Sequence, residues 1–173
     1  YHEHFSYFSL FTIKKIFEHF DLEIFNVKEI SVHGGSLRLF LKLSKNKEIS
    51  INENVGKLLK KENDYGLQEI STYLKFQKNV ENSKKKIQEF FIKAKEEKKQ
   101  IVCYGAAAKG NTVLNYCKIS KNDINYVVDI SPHKQGKFMP GTHIPIFAPE
   151  KIKETKPDYI VILAWNLKDE IIQ

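Results

Sequence analysis

The sequence predicts an α/β fold: a parallel sheet over residues 101–173, a helical connector over 49–100, and a helix–hairpin segment over 1–48. Three observations predict it. From Ile101 onward, short apolar runs alternate with small-residue loops and helical patterns, as strand–helix–strand units do. Between Ile49 and Gln100 the chain is polar and charged, with one apolar stripe at helical spacing. Before that, two runs that alternate apolar with polar residues flank a glycine pair.

Each element follows from its local pattern. Ser9 or Thr12 starts a helix through Phe11, Ile13, Ile16, Phe17 and Phe20, spaced three and four apart. Leu22–Val32 and Ser36–Leu43, divided by His33-Gly34-Gly35, read as an antiparallel hairpin. A lone helix and hairpin lack a sheet to lie on, so this segment reads as the tail of a larger domain. Asn63-Asp64-Tyr65-Gly66 reads as a loop. The stripe from Leu67 through Leu74, Val80, Ile87 and Phe91 to Ala94 fits one long helix or two stacked ones. Ile101–Tyr104 is a buried strand, Gly105–Gly110 a loop, Asn111–Cys117 a helix, and Tyr126–Val128 a second strand ending in Asp129. A helix over about 149–156 precedes a buried strand over Tyr159–Leu163, and a last helix begins at Leu167. This alternation is Rossmann-like, with right-handed crossovers.

Composition removes several classes. The chain has 173 residues, 42% hydrophobic and 12% aromatic, enough for a core in one ordinary domain or two small ones. No apolar run approaches the ~20 residues of a membrane span, and no signal peptide is expected. Cys103 and Cys117 are too few for a disulfide framework or zinc cluster, which fits a reducing cytoplasm. A chain that opens at Tyr1 rather than methionine is expected to belong to a longer parent. The net charge of +7 raises nucleic acid as a partner, but Arg38 is the only arginine, and base readout leans on arginine. Eight lysines and four glutamates interleave with apolar residues over Lys78–Lys99, the pattern of a solvated helix face. No nucleic-acid partner is expected.

Four motifs carry chemistry. The Gly105-Ala106-Ala107-Ala108-Lys109-Gly110 loop follows a strand, and its small residues let backbone N–H groups and a helix start approach a phosphate. Asp129 stands where a Rossmann domain holds a ribose hydroxyl, although Ala107 replaces the second glycine of the dinucleotide fingerprint. Tyr1-His2-Glu3-His4 is dense in proton-handling groups that could serve as a general base and its orienters, or form a frayed end. It lacks the spacing of a helical metal site, so no metal is expected here. His33-Gly34-Gly35-Ser36 is either a plain turn or a place where a ligand comes close. Trp165-Asn166 ends a strand, where Asn166 either meets a ligand or caps the next helix.

Several segments in order resemble one family. Tyr1–Ser9, His33–Arg38, Tyr104–Asn111, Val128-Asp129, Lys134–Lys137, Pro140–Ile146 and Ala164–Asn166 look like the sugar C-methyltransferases. Members use S-adenosylmethionine to methylate a ring carbon of a nucleotide-linked deoxysugar. They have a zinc-binding N-terminal domain, a central methyltransferase domain and a C-terminal Rossmann-like domain that helps hold the nucleotide-diphosphate sugar. The resemblance makes residues 1–48 the tail of the methyltransferase domain. It places the zinc site and most of the adenosylmethionine site in protein outside this chain, so that the chain alone is expected to be inactive.

By the same resemblance, His4 is the base that removes the proton beside the sugar's carbonyl, with Glu3 and Tyr1 orienting it or the sugar. Substrate contacts then fall on Gly105, Ala106, Lys109, Gly110, Asn111, Asp129, Lys134, Trp165 and Asn166, with His33, Gly34, Gly35 and Ser36 lining a pocket. Two further classes stay open on sequence: a non-catalytic Rossmann-like nucleotide or nucleotide-sugar module, and a helix-mediated interaction protein built on Lys78–Lys99.

Overall fold

The computed structural model describes residues 6–31 and 35–173. The chain divides into two compact units, the break falling between Lys78 and Asn79 inside a single helix.

In the first unit, α1 (Leu10–His19) is followed by the antiparallel strands β1 (Leu22–Ile30) and β2 (Ser36–Leu43), then by α2 (Glu53–Tyr65). The pairing runs from Leu22 opposite Leu43 to Ile30 opposite Ser36, with a register shift between Ile24 and Asn26. That irregularity moves the inward position from Ile24 to Val27, so Ile24 faces Leu41 and Val27 faces Leu39. Leu10, Ile24 and Val27 then pack with Val55 and Leu58 of α2. Asn63, Asp64 and Tyr65, expected in a loop, are instead the last turn of α2, and Gly66 is its left-handed cap at φ +79°. The amphipathic run from Glu53 carries the helix through these turn-forming residues until a glycine can take the positive φ.

The first turn of α1 has a full set of acceptors. Ser9 Oγ accepts the Thr12 N–H at 3.1 Å, and Ser9 O accepts that of Ile13 at 3.1 Å. The buried Glu62 carboxylate of α2 accepts the N–H groups of Leu10 at 2.6 Å and Phe11 at 2.8 Å. A helix start leaves such donors without partners inside the helix, and here a neighbouring helix supplies them.

α3 (Ile70–Glu96) is one unbroken helix of 27 residues, and the polar stretch Asn82–Lys86 is simply part of it. The second unit begins in this helix and continues with β3 (Ile101–Tyr104), α4 (Ala108–Cys117), β4 (Val127–Val128), β5 (Ile146–Phe147), α5 (Lys151–Thr155), β6 (Tyr159–Ile162) and α6 (Lys168–Ile172). The sheet order is β5-β4-β3-β6, and every pair is parallel.

The side chains of this sheet divide between two cores. Ile101, Cys103 and Val127 pack with Phe91 and Ala94 of α3 and Leu114 and Cys117 of α4. Val102, Tyr126 and Val128 pack on the other side with Ile152 of α5. Burial on both faces is why these strands read as continuous apolar runs. It also raises the Cys103 thiol pKa to about 12.

Four expectations for this unit change. Ala108, Lys109 and Gly110, expected in the loop after β3, are the first turn of α4, because the glycine packs the helix start directly against Leu163. β5 was not anticipated; two residues are too short to show a period. β6 is partly exposed rather than buried, with Tyr159 and Ile160 open to solvent at the sheet edge. Trp165–Leu167 forms a single 3-10 turn after β6, not the end of the strand. Between β4 and β5, where a helix would cross over, the chain folds back on itself. Met139 N–H donates to Ile144 O at 2.8 Å, and Phe138 bridges Pro145 in antiparallel fashion. Met139 and Ile144 are buried in the core, so this irregular segment covers the sheet in the place of a helix.

Candidate functional site

The strand order itself marks the site. From β3 the chain moves outward to β4 and β5, then returns to the opposite side of β3 with β6. In a parallel sheet the loops leaving such a pair of neighbouring strands go to opposite faces, and a crevice opens at their carboxyl ends. A cleft of about 570 Å³ lies there. Tyr104, Gly105 and Ala107 line it from β3, Asp129, Ile130, Ser131 and Lys134 from β4, and Ala164, Leu167, Glu170 and Ile171 from beyond β6. Its size and mixed lining, mostly apolar with a few convergent polar groups, suit a small organic ligand.

Two glycines shape the β3–α4 turn. Gly105 has φ +90°, a conformation that L side chains rarely adopt, and its N–H donates to Val128 O at 2.7 Å. Gly110 lies in the first turn of α4, where a Cβ would come within 2.5 Å of the Leu163 Cβ. This glycine lets the helix sit directly against the chain leaving β6. Ala107 is the extended cap residue of α4. Lys109 and Asn111 follow in the first helical turn, and the Asn111 side chain accepts from Asn115 Nδ2 at 3.3 Å.

Asp129 organises the polar side of the cleft. Its Oδ2 accepts the Ala106 N–H at 2.7 Å and the Lys134 ammonium at 3.0 Å, and its Oδ1 accepts the Ser131 N–H at 2.8 Å. Lys134 Nζ also donates to Ala106 O at 3.0 Å, and Gln135 Nε2 to Asp129 O at 2.9 Å. Burial alone would raise the Asp129 pKa. The donors from Ser131, Lys134 and Ala106 outweigh that and hold the carboxyl below its ordinary range.

Of the anticipated residues, the fold gathers Gly105, Ala106, Asp129 and Lys134 at one cleft, with Lys109, Gly110 and Asn111 on the adjoining helix start. Trp165 and Asn166 lie on the exposed turn between two lining residues, Ala164 and Leu167. Asn166 does not cap the last helix; Leu167 occupies that position, without a side-chain cap. Gly35 and Ser36 belong to the other unit, Ser36 pairing with Ile30. Tyr1, Glu3, His4, His33 and Gly34 lie outside the described residues.

Sequence reasoning missed Ile130, Ser131, Leu167, Glu170 and Ile171. Ile130 had a local signal: a large apolar residue directly after the acidic end of a strand, here 74% exposed. Among the described residues, no group of three or more His, Cys, Asp or Glu side chains is placed to hold a metal, and no helix is long and apolar enough to cross a membrane.

The model of the C-methyltransferase C-terminal domain matches residues 31–173, which include the whole parallel sheet and its cleft. The chain belongs to this family. It is also similar to the C-methyltransferase NovU of Streptomyces niveus, at 36% identity over 172 residues. The match covers 99% of this chain and 41% of that relative, so the chain spans well under half of the relative's length. The α/β architecture with a parallel Rossmann-like sheet is therefore that of a C-methyltransferase C-terminal domain in which the cleft lies at the point where the strand order reverses.

Proposed function

We propose that the chain serves S-adenosylmethionine-dependent C-methylation of a nucleotide-linked keto-deoxysugar, and that its parallel-sheet unit holds part of the nucleotide-diphosphate sugar. The observation that carries this reading is the cleft at the reversal of strand order, in a chain of the C-methyltransferase C-terminal domain family. The small-residue turn Gly105–Ala107 brings main-chain N–H groups and the start of α4 to one side of it. Lys134 lines the cleft, and Lys109 stands in the first turn of α4. Together they suit a diphosphate. Asn111, Trp165 and Asn166 extend the contact surface at either end.

The keto sugar has an acidic proton beside its carbonyl. His4 takes that proton, with Glu3 and Tyr1 orienting the imidazole or the sugar. The methyl donor supplies an electrophilic carbon. The cleft in this chain is lined by Lys134 and Glu170, with the Asp129 carboxylate already engaged by Lys134, Ala106 and Ser131. The donor, like the zinc, is assigned to protein outside this chain.

Calorimetric titration with a dTDP-sugar and with an adenine dinucleotide tests the binding half. The dTDP-sugar binds, and Lys109→Ala weakens it by about 1–3 kcal/mol, the worth of a charge-assisted hydrogen bond. Preference for the dinucleotide would replace this reading with a general nucleotide module. For the proton step, His4→Ala in the full-length enzyme abolishes exchange of the sugar's α-proton with deuterated solvent. Exchange at the wild-type rate would remove His4 from the role.

A further inference from the structure

We infer that Asp129 is a positioning residue, half of a clasp that fixes the β3–α4 turn, and not the group that reads the ribose 2′-hydroxyl of a bound nucleotide. The ligand part of this inference rests on the nucleotide reading above; the clasp does not.

Both main-chain polar groups of Ala106 are held. Its N–H donates to Asp129 Oδ2 at 2.7 Å, and its C=O accepts from Lys134 Nζ at 3.0 Å. The ammonium closes the ring by donating to the same Oδ2 at 3.0 Å. The Ser131 N–H takes Oδ1 at 2.8 Å, and Gln135 binds the Asp129 carbonyl at 2.9 Å. A carboxylate offers about four acceptor positions and an ammonium three donors, so the chain itself fills three of the former and two of the latter.

Asp129 is only 6% exposed, and the chain's own donors occupy both of its carboxylate oxygens. The residues joined are 23 apart and come from different strands. The clasp therefore ties the turn after β3 to the turn after β4, on the wall of the cleft. A Rossmann domain spends this acidic position on the ribose. Here it is spent on the peptide of Ala106, and the turn it holds supplies the cleft wall.

Two measurements test this on the chain as it stands. The first is amide exchange of Ala106 by NMR in the isotope-labelled protein. Asp129→Asn puts an amide NH₂ among the donors of Lys134, Ala106 and Ser131; it shifts the Ala106 resonance and speeds its exchange about tenfold, as loss of one charge-assisted hydrogen bond does. Lys134→Met acts in the same direction, and Lys134→Arg, which keeps charge and donors, restores protection. Unchanged exchange at Ala106 in both Asp129→Asn and Lys134→Met overturns the clasp.

The second is calorimetry with UDP and 2′-deoxy-UDP. Asp129→Asn lowers the affinity for both by the same factor. If it lowers UDP affinity alone, Asp129 is a ribose reader and the inference fails. If the wild-type chain binds neither these probes nor the dTDP-sugar, the nucleotide reading falls, and the Ala106 exchange still decides the clasp.

Discussion

Gly110→Ala tests the close packing of α4 against the chain leaving β6. An added Cβ would meet the Leu163 Cβ at 2.5 Å, and its Cγ and Cδ1 at 3.2 Å. Carbon atoms rest about 3.5–4.0 Å apart, so roughly 1 Å must be recovered. Leu163 cannot easily supply it: the side chain is buried, and its N–H is bonded to Tyr104 O at 2.9 Å. The nearest atom is a Cβ rather than a flexible end, so the penalty lies in the upper half of the ~1–3 kcal/mol usual for overpacking. Alanine's better helix propensity returns at most about 1 kcal/mol. The net loss is about 1–2 kcal/mol.

Trp165, the single tryptophan, belongs to this unit, so its fluorescence during urea unfolding reads the relevant transition. With a slope of ~1–3 kcal/mol per molar, the midpoint falls on the order of 0.5–1 M. Gly56→Ala in α2 is the matched control. A Cβ there meets nothing within 4 Å, so the same change stabilises the first unit by about 0.5–1 kcal/mol. A Gly110→Ala midpoint equal to or above wild type would refute the packing argument.

Three other outcomes follow from the same structure. Glu62→Ala leaves the N–H groups of Leu10 and Phe11 without their acceptor and destabilises the first unit by about 1.5–3 kcal/mol, read as a lower melting temperature by circular dichroism. The Asp129 carboxyl lies below its ordinary 3.8 in the folded chain, so it stabilises the fold above that pH, and the contribution is lost as pH falls through the folded-state value. The Trp165 midpoint should thus drop more steeply below about pH 4 in wild type than in Asp129→Asn; equal slopes would contradict it. Cys103, fully buried with its thiol pKa at about 12, should resist alkylation at pH 8 in a Cys117→Ser background until the unit unfolds. Labelling at the rate of a free thiol would show that β3 is accessible.

Sequence by itself determined the elements whose signal is local and repeated. Ser9 and the three-and-four spacing set α1; alternation set β2 over Ser36–Leu43; apolar runs of four set β3 and β6. It also determined the turn at Gly105–Ala107, because small residues after a strand state a steric need, but not that the helix already begins at Ala108. Asn63–Tyr65, read as a loop, and β6, read as buried, differ where the deciding factor lies elsewhere. α2 runs through Asn63–Tyr65 because its apolar face is buried against Leu10 and Val27. β6 is partly exposed and, among the described residues, lies at an edge of the sheet.

Only the tertiary structure decided the cleft and its polar wiring. No period in the sequence tells that β6 returns beside β3 while β5 lies two strands away, yet that order creates the crevice. Asp129 was legible as an acidic strand end, but its partners were not. Ala106 and Lys134 reach it from two different turns, and a hydrogen bond between residues 23 apart leaves no mark in local composition. Glu62 is the same case across 52 residues: it reads as one charge on a polar helix, and burial against the start of α1 makes it a cap. Side-chain type is written in the chain, whereas the partner that gives a buried charge its role is set by which elements the core brings together.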